Sequence, residues 1–418
     1  MENSMIISNC TIFDGTGNEP YNGSTVIVKD GRIADILVGN ADTARAMMQY
    51  SNLPVKDAGG KYLLPGLIDA HIHLHGYSMD EPTVVKLWHL TNTNSTKMLH
   101  AVKNLSLLQE RGFTFLRVMG MPHSMDVHLR NAINEGVIEG PRMICSGQEL
   151  SMTAGHGDLQ IPPWAYREPG LTADGVDECI KAVRSLVRDG VDFVKIHCSG
   201  GCMSNNDKLE WRNYSVKEIK AITEEAHAFD LRVAAHAEGR EGIMTALLGG
   251  VDTIEHGFYL DDESIELMLK TGAYLIPTLS VGGAIMENQD SLGIPDECLI
   301  KSINSHEENR KSAIAAYKAG VKIAYGSDAF NVPRVRESTK EFKYMYDAGF
   351  PTLAIIRAAT LGAADAMNIM DDTGSIEKGK SADMIILTED PRNDITVLGD
   401  PNRTCMVMKQ GRVVINKE

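Results

Sequence analysis

Three histidines stand at alternate positions in the stretch "LLPGLIDAHIHLHG" over residues 63–76: His71, His73 and His75. The apolar run before them reads as a buried strand, and residues two apart on a strand share a face. His71 and His73 can therefore point into one space, while His75 lies beyond, where the chain turns at Gly76. Other short apolar runs carry groups of the same kind: Lys195 in "DFVKIHC", His236 in "RVAAHA", His256 in "TIEH", and Asp328 just after "KIAYGS". Imidazole and carboxylate are borderline ligands suited to zinc and its divalent neighbours. Three or four of them satisfy one ion and leave a position open for water. A lone strand-end histidine is more often a hydrogen-bonded core residue, but four of them with an aspartate make a metal site the better reading. Lys195 is out of place in such company, because an ammonium beside cations is repelled and costly to desolvate. Either it pairs with a carboxylate such as Asp158 or Glu238, or CO₂ has carbamylated its amine and made it an anionic bridge between two metals.

Residues so far apart need a scaffold that gathers them. Eight short strand candidates run through the middle of the chain, at 63–71, 114–119, 141–147, 192–198, 232–237, 253–256, 273–279 and 322–327. Amphipathic helical patterns separate most of them, such as those over 215–230 and 305–320. Eight β units alternating with helices predict an α/β fold, a parallel (β/α)₈ TIM barrel, whose chemistry sits at the C-terminal ends of its strands. A doubly wound sheet is the lesser alternative, since no Gly-rich phosphate loop follows the first strand. Both ends of the chain alternate with period two and carry "KDGR" and "QGR" turns at 29–32 and 410–412. They predict one small β-sandwich domain, 1–62 plus 371–418, beside a barrel over 63–370.

The 418 residues carry a net charge of −15, which argues against a nucleic-acid partner and gives no reason to expect attraction to an anionic membrane. The N-terminus has no basic region before an apolar stretch, so no signal peptide is read there, and no run approaches the ~18 apolar residues of a membrane span. Seven scattered cysteines are an odd number with no disulfide framework. Cys198 and Cys202 lack the second pair that a zinc knuckle needs. A reduced, cytoplasmic setting is expected.

Taken in order, "PGLIDAHIHLHG", "FVKIHCSGGCMS", "VAAHAEG", "DTIEHG" and "AYGSDA" resemble the amidohydrolase superfamily over nearly the whole chain. More narrowly, they resemble its imidazolonepropionase-like branch, which includes prolidase-type Xaa-Pro dipeptidases and arginine or lysine carboxypeptidases. The resemblance implies that His71, His73 and Asp328 hold a buried α metal and that His236 and His256 hold a β metal. Lys195, carboxylated, would bridge the two; zinc is the expected metal. "SMTAGHGD" resembles the family's Gly-His-Gly stretch, which gives His156 the substrate carbonyl or developing oxyanion. "WRNYS" resembles a loop whose tyrosine, here Tyr214, contacts the substrate.

The implied activity is cleavage of the amide (peptide) bond of a dipeptide or N-acyl amino acid by a metal-bridging hydroxide. Asp328 would take the proton of the attacking hydroxide and pass it to the leaving amine. The alternative is a cyclic-amide hydrolase or deaminase of the same fold, acting on a ring C–N bond. A non-catalytic barrel ranks last, because all six ligands are present. The chain departs from the family's pattern at "FNVPRVRES", where Arg334 and Arg336 replace a Pro-His-Gly stretch. Either arginine could fork onto a carboxylate or lie on the surface. His197 and Cys198 stand where small or apolar residues are usual; His197 shares a face with Lys195 and could line the pocket. A small-molecule substrate with a free carboxylate and a homo-oligomeric state are the expected partners.

Overall fold

The computed structural model describes residues 3–39, 48–76, 91–158, 171–204, 207–287, 296–329 and 332–417. Strands Leu67–Ile72, Phe113–Val118 and Arg142–Cys145 pair in parallel. Phe193–His197, Arg232–Ala237, Thr253–His256 and Tyr274–Ile276 form a second parallel run. These strands are buried along nearly all their length, which is why they read as short continuous apolar runs rather than alternating ones.

Two seams close the ring. At the first, the Asp192 amide donates to the Cys145 carbonyl at 2.8 Å, while the Asp192 carboxylate accepts from the Cys145 amide at 2.9 Å. At the second, residues 322–329 lie between the seventh and first strands. The Ala324 amide donates to Leu275 O at 3.0 Å, the Ala70 amide to Tyr325 O at 2.9 Å, and the His73 amide to Ala329 O at 2.9 Å. The result is a (β/α)₈ TIM barrel whose eighth position is held by single bridges rather than a regular ladder.

Two elements differ from their predicted extents. The strand expected over 63–71 is two strands: Tyr62–Pro65 pairs with Met384–Leu387 in the terminal sheet, and only Leu67–Ile72 enters the barrel. The chain crosses between sheets at Gly66, where any Cβ would sit 2.1 Å from the Thr114 hydroxyl. The helix expected over 305–320 spans Asp296–Ala319. Its inward face is mostly polar up to its middle, with Ser302, Ser305 and Asn309 buried beside Cys298, while Ile300 and Ile303 face solvent. Helix Val216–His227 starts on a capping box, Ser215 with Glu218, and helix Asp262–Thr271 on another, Asp261 with Ser264.

The terminal sheet joins both chain ends, in the order Arg412–Asn416, Thr404–Lys409, Met384–Leu387, Tyr62–Pro65, Met5–Ile12, Tyr21–Lys29 and Arg32–Val38. It belongs to the β-sandwich that accompanies the barrel. Its two-residue hairpin turns, Asp30–Gly31 and Gln410–Gly411, have positive φ at both positions, the geometry that suits the twist of the flanking strands. Among the described residues no helix is long and apolar enough to cross a membrane.

Candidate active site

Parallel pairing in register gathers the polar strand ends. His197 lies opposite His236, and Ala237 opposite His256, so the fourth, fifth and sixth strands present their histidines side by side. They open into a cavity of about 390 Å³ lined by His71, His73, Lys195, His236, His256 and Asp328, together with His156, His197 and Glu149. His256 and Asp328 sit at φ 75° and 49°, in the left-handed region that side chains rarely adopt. Such strain persists where the surroundings impose it and clusters at functional sites.

The rings crowd together. His71 and His256 have centroids 5.1 Å apart, and His236 and His256 4.7 Å. One Asp328 oxygen lies 3.5 Å from His71 Nε2 and 3.3 Å from His73 Nε2. Donor atoms of His71, His256 and Asp328 fall within 4.8 Å of one another, as do those of His236, Glu238 and His256, and those of His156, His197 and His236.

Groups behind two of the rings fix which nitrogen faces inward. Glu255 Oε2 holds His71 Nδ1 at 2.7 Å, and Thr278 Oγ1 holds His256 Nδ1 at 2.7 Å. Metal-binding histidines are oriented in this way by partners on the far nitrogen. Glu255 is itself held by Arg117 Nη2 at 2.8 Å and by the Thr253 hydroxyl, while Arg117 Nε donates to Ala70 O. The whole relay is buried. His73 Nδ1 is buried without a hydrogen-bond partner among the described residues, 3.7 Å from Glu149.

The protonation states of His71, His236, His256 and Asp328 suit ligands, which bind as neutral imidazole and carboxylate. His73 differs: burial lowers its pKa, but Asp328 and Glu149 outweigh that effect and raise it. Burial drives His71 and His236 well below the usual histidine range and His256 down to about 3, with neighbouring positive groups adding to the effect. Burial alone would push Asp328 up, but its pairing with His71 and His73 overcomes it and holds the carboxyl below its ordinary range. Lys195 is buried and lines the cavity beside the histidines. It makes no ion pair with Asp158 or Glu238. Burial lowers its pKa against the pull of Glu255, Glu149 and Asp328. Lowering the pKa of an amine favours its neutral form, the form that CO₂ can carbamylate. The donor set therefore fits divalent metal ions.

Around this centre lie His156 and His197, named from the sequence, and Glu149, Ser204, Asp207 and Lys301, which sequence reasoning passed over. His156 stacks on His236 with centroids 4.3 Å apart, and its ring rests on Gly201, where a Cβ would come within 2.2 Å. Its Nδ1 meets Ser204 Oγ at 2.7 Å, which in turn donates to Asp207 Oδ2 at 2.6 Å. Lys301 anchors Asp207 at 3.0 Å. His197 does line the cavity, with Nε2 2.7 Å from Glu149 Oε2. Cys198 is packed in the core instead.

Tyr214 does not fit its expected role as a substrate contact. It is wholly buried in the main hydrophobic core, away from the cavity, and its hydroxyl has no partner among the described residues. The loop carrying it is drawn onto the end of the fourth strand: Ser199 bridges Arg212, and the Asn213 amide donates to Cys198 O at 2.8 Å. That pairing turns the next side chain inward. Arg336 is exposed and does not line the cavity, and the Arg334 side chain lies outside the described residues.

Residues 62–414 match the model of the amidohydrolase family. The chain is 32% identical to an ochratoxinase of Aspergillus niger over 423 residues, spanning 94% of this chain and 83% of that protein. Two solved structures are similar throughout. One is a Xaa-Pro dipeptidase with methionine bound in its active site, at TM-score 0.89 and 29% identity, covering 99% of this chain and all of the other. The second is a prolidase complexed with N-methylphosphonate-L-proline, at TM-score 0.90, 29% identity and the same coverage.

Proposed function

The chain belongs to the amidohydrolase family, and on that footing we propose that it hydrolyses the amide bond of a dipeptide or N-acyl amino acid with two divalent metal ions, zinc by our reading. His71, His73 and Asp328 would hold one ion and His236 and His256 the other, with Lys195 as a carbamate between them. Bound there, such ions supply Lewis acidity toward a carbonyl and an acidic water at neutral pH.

The rest of the work falls to the chain. His71 and His73 keep Asp328 in its ionised form. It is therefore available to accept a proton from water and release it to the departing amine. An amide needs that release, because an unprotonated amine is a poor leaving group. His156 gives its Nδ1 proton to the hydrogen bond with Ser204, whose own proton goes to Asp207. As the imidazolium it would donate from its other nitrogen to the carbonyl oxygen as that gains charge, its ring held by Ser204 and Gly201. The observation that carries the reading is the convergence of His71, His256 and Asp328 donor atoms in a cavity that the buried Lys195 also lines. The dipeptidase and prolidase likeness supports the choice of amide substrates.

The test is to incubate zinc-reconstituted protein in bicarbonate buffer with Xaa-Xaa dipeptides and N-acyl amino acids and to measure released amino acid. Release from one class of linear amide is the expected result. Silence toward all linear amides, with release from lactams or ring amines, would replace this reading with the cyclic-amide one.

A further inference from the structure

Helix Asp296–Ala319 lays Ser302, Ser305, His306 and Asn309 toward the cavity, at the three- and four-residue spacing that puts them on one helix face. The two serine hydroxyls share a character, whereas His306 Nδ1 is a buried ring nitrogen without a partner among the described residues, able to donate or accept with its tautomer. Ser302 Oγ donates to Cys298 O at 2.9 Å and Ser305 Oγ to Lys301 O at 2.8 Å, each back onto its own helix. With those protons engaged, the two hydroxyls present lone pairs, and Ser305 Oγ already meets Cys202 Sγ at 3.4 Å.

Asn309 is 3% exposed. Its amide nitrogen donates to Pro277 O at 2.9 Å. A backbone carbonyl can only accept, so this bond fixes which end of the carboxamide is which. Oδ1 is the end left over, and it is buried with no hydrogen-bond partner among the described residues. A buried acceptor left unpaired is costly, and each such atom in a native fold calls for an occupant.

We infer that this helix face is a subsite for a hydrogen-bond donor: an N–H of a carboxamide or ammonium at the tip of the substrate's side chain. The inference rests on the amide-hydrolase reading and names the side chain that such a substrate should carry. Val281 and Ile285 also line the cavity and suit the aliphatic stem of that side chain. A carboxylate set against Ser302, Ser305 and Asn309 is disfavoured, because its oxygens would face theirs; of the four residues on this face, His306 is the one that could donate to it.

Two matched series test it: N-acetyl-L-glutamine, N-acetyl-L-glutamate and N-acetyl-L-methionine, and the dipeptides Gln-Pro, Glu-Pro and Met-Pro. They place a donor, an anion or neither on the leaving or the acyl side. In one series kcat/KM for the glutamine member should exceed the other two by about tenfold, the scale of an unpaired buried acceptor. Asn309→Leu should abolish that ratio, and Ser305→Ala should reduce it without touching Pro277. If Asn309 merely braces Pro277, its substitution lowers all members alike and leaves the ratio intact, which overturns the inference. Equal wild-type rates within both series also overturn it. If no amide is hydrolysed, the hydrolase reading fails, and calorimetry decides the subsite separately. Free glutamine should then bind metal-loaded protein more tightly than glutamate or methionine, an advantage lost in Asn309→Leu; equal binding of all three overturns it.

Discussion

Two walls of the cavity carry polar atoms on different terms. On the strand-end wall, the outward nitrogens of His71 and His256 are already held by Glu255 and Thr278, so their remaining nitrogens are fixed toward a common space. On the helix wall, Ser302 and Ser305 turn their protons back onto the helix, and Asn309 is left with an unpaired oxygen. Rigid, pre-oriented donors suit a reaction centre that must be the same for every substrate. An acceptor awaiting a partner suits discrimination, because a substrate lacking the matching donor leaves it buried and unpaired. Changes on the first wall should therefore act on all substrates alike, and changes on the second should act on some and not others.

The largest effect is expected at Asp328. Asp328→Asn keeps an oxygen near His71 and His73 but removes the proton acceptor, so kcat should fall by about 10³-fold or more for every amide. Metal content, measured by mass spectrometry, should change little; full activity with metal retained would break the assignment. Next comes Glu255→Gln. It leaves Arg117 with a neutral partner and loosens His71, so metal affinity should weaken about 10- to 100-fold in a chelator competition. Unchanged affinity would mean that the relay serves only the core.

A smaller effect is expected at Asp207, which acts through Ser204 on His156. Asp207→Asn should lower kcat roughly tenfold with KM nearly constant, and Asp207→Glu should restore part of it. A rise in KM alone would place His156 in substrate binding rather than in the rate-limiting step.

How much of this was legible in the sequence follows from the same contrast. His71, His73, His236 and His256 stand out because a polar group inside an apolar strand run is costly unless it has a purpose. By the same signal Arg117 in "TFLRVM" and Glu255 in "TIEH" were also visible, as charges inside buried strands, although only the relay geometry gives them a role. Ser204 and Asp207 lie in a loop with no period to read. Tyr214 was misassigned because the bridge between Ser199 and Arg212 that turns it into the core leaves no local mark. The helix wall was hidden for a physical reason: its inward face is mostly polar and its outward face carries Ile300 and Ile303, the reverse of the amphipathic pattern.

The smallest effect concerns stability beneath the helix wall. Glu341 accepts hydrogen bonds from the Leu279 and Ser280 amides at the start of helix Leu279–Glu287, and burial raises its carboxyl to about 8 despite them. A raised acid favours the folded state most below its unfolded value of 4.5, and that contribution is lost as pH climbs through about 8. The unfolding free-energy difference between wild type and Glu341→Ala should therefore narrow across this window, by at most ~1.4 kcal/mol per pH unit. A difference that widened with pH would show the carboxylate to be ionised in the fold.

The most direct test of the two-metal reading is the metal content of protein purified after zinc loading in bicarbonate, determined by inductively coupled plasma mass spectrometry for wild type, Lys195→Ala and His236→Ala. The account predicts two equivalents per chain in wild type and one or fewer in each variant. Amide hydrolysis by wild type holding a single equivalent, unchanged in Lys195→Ala, would contradict it.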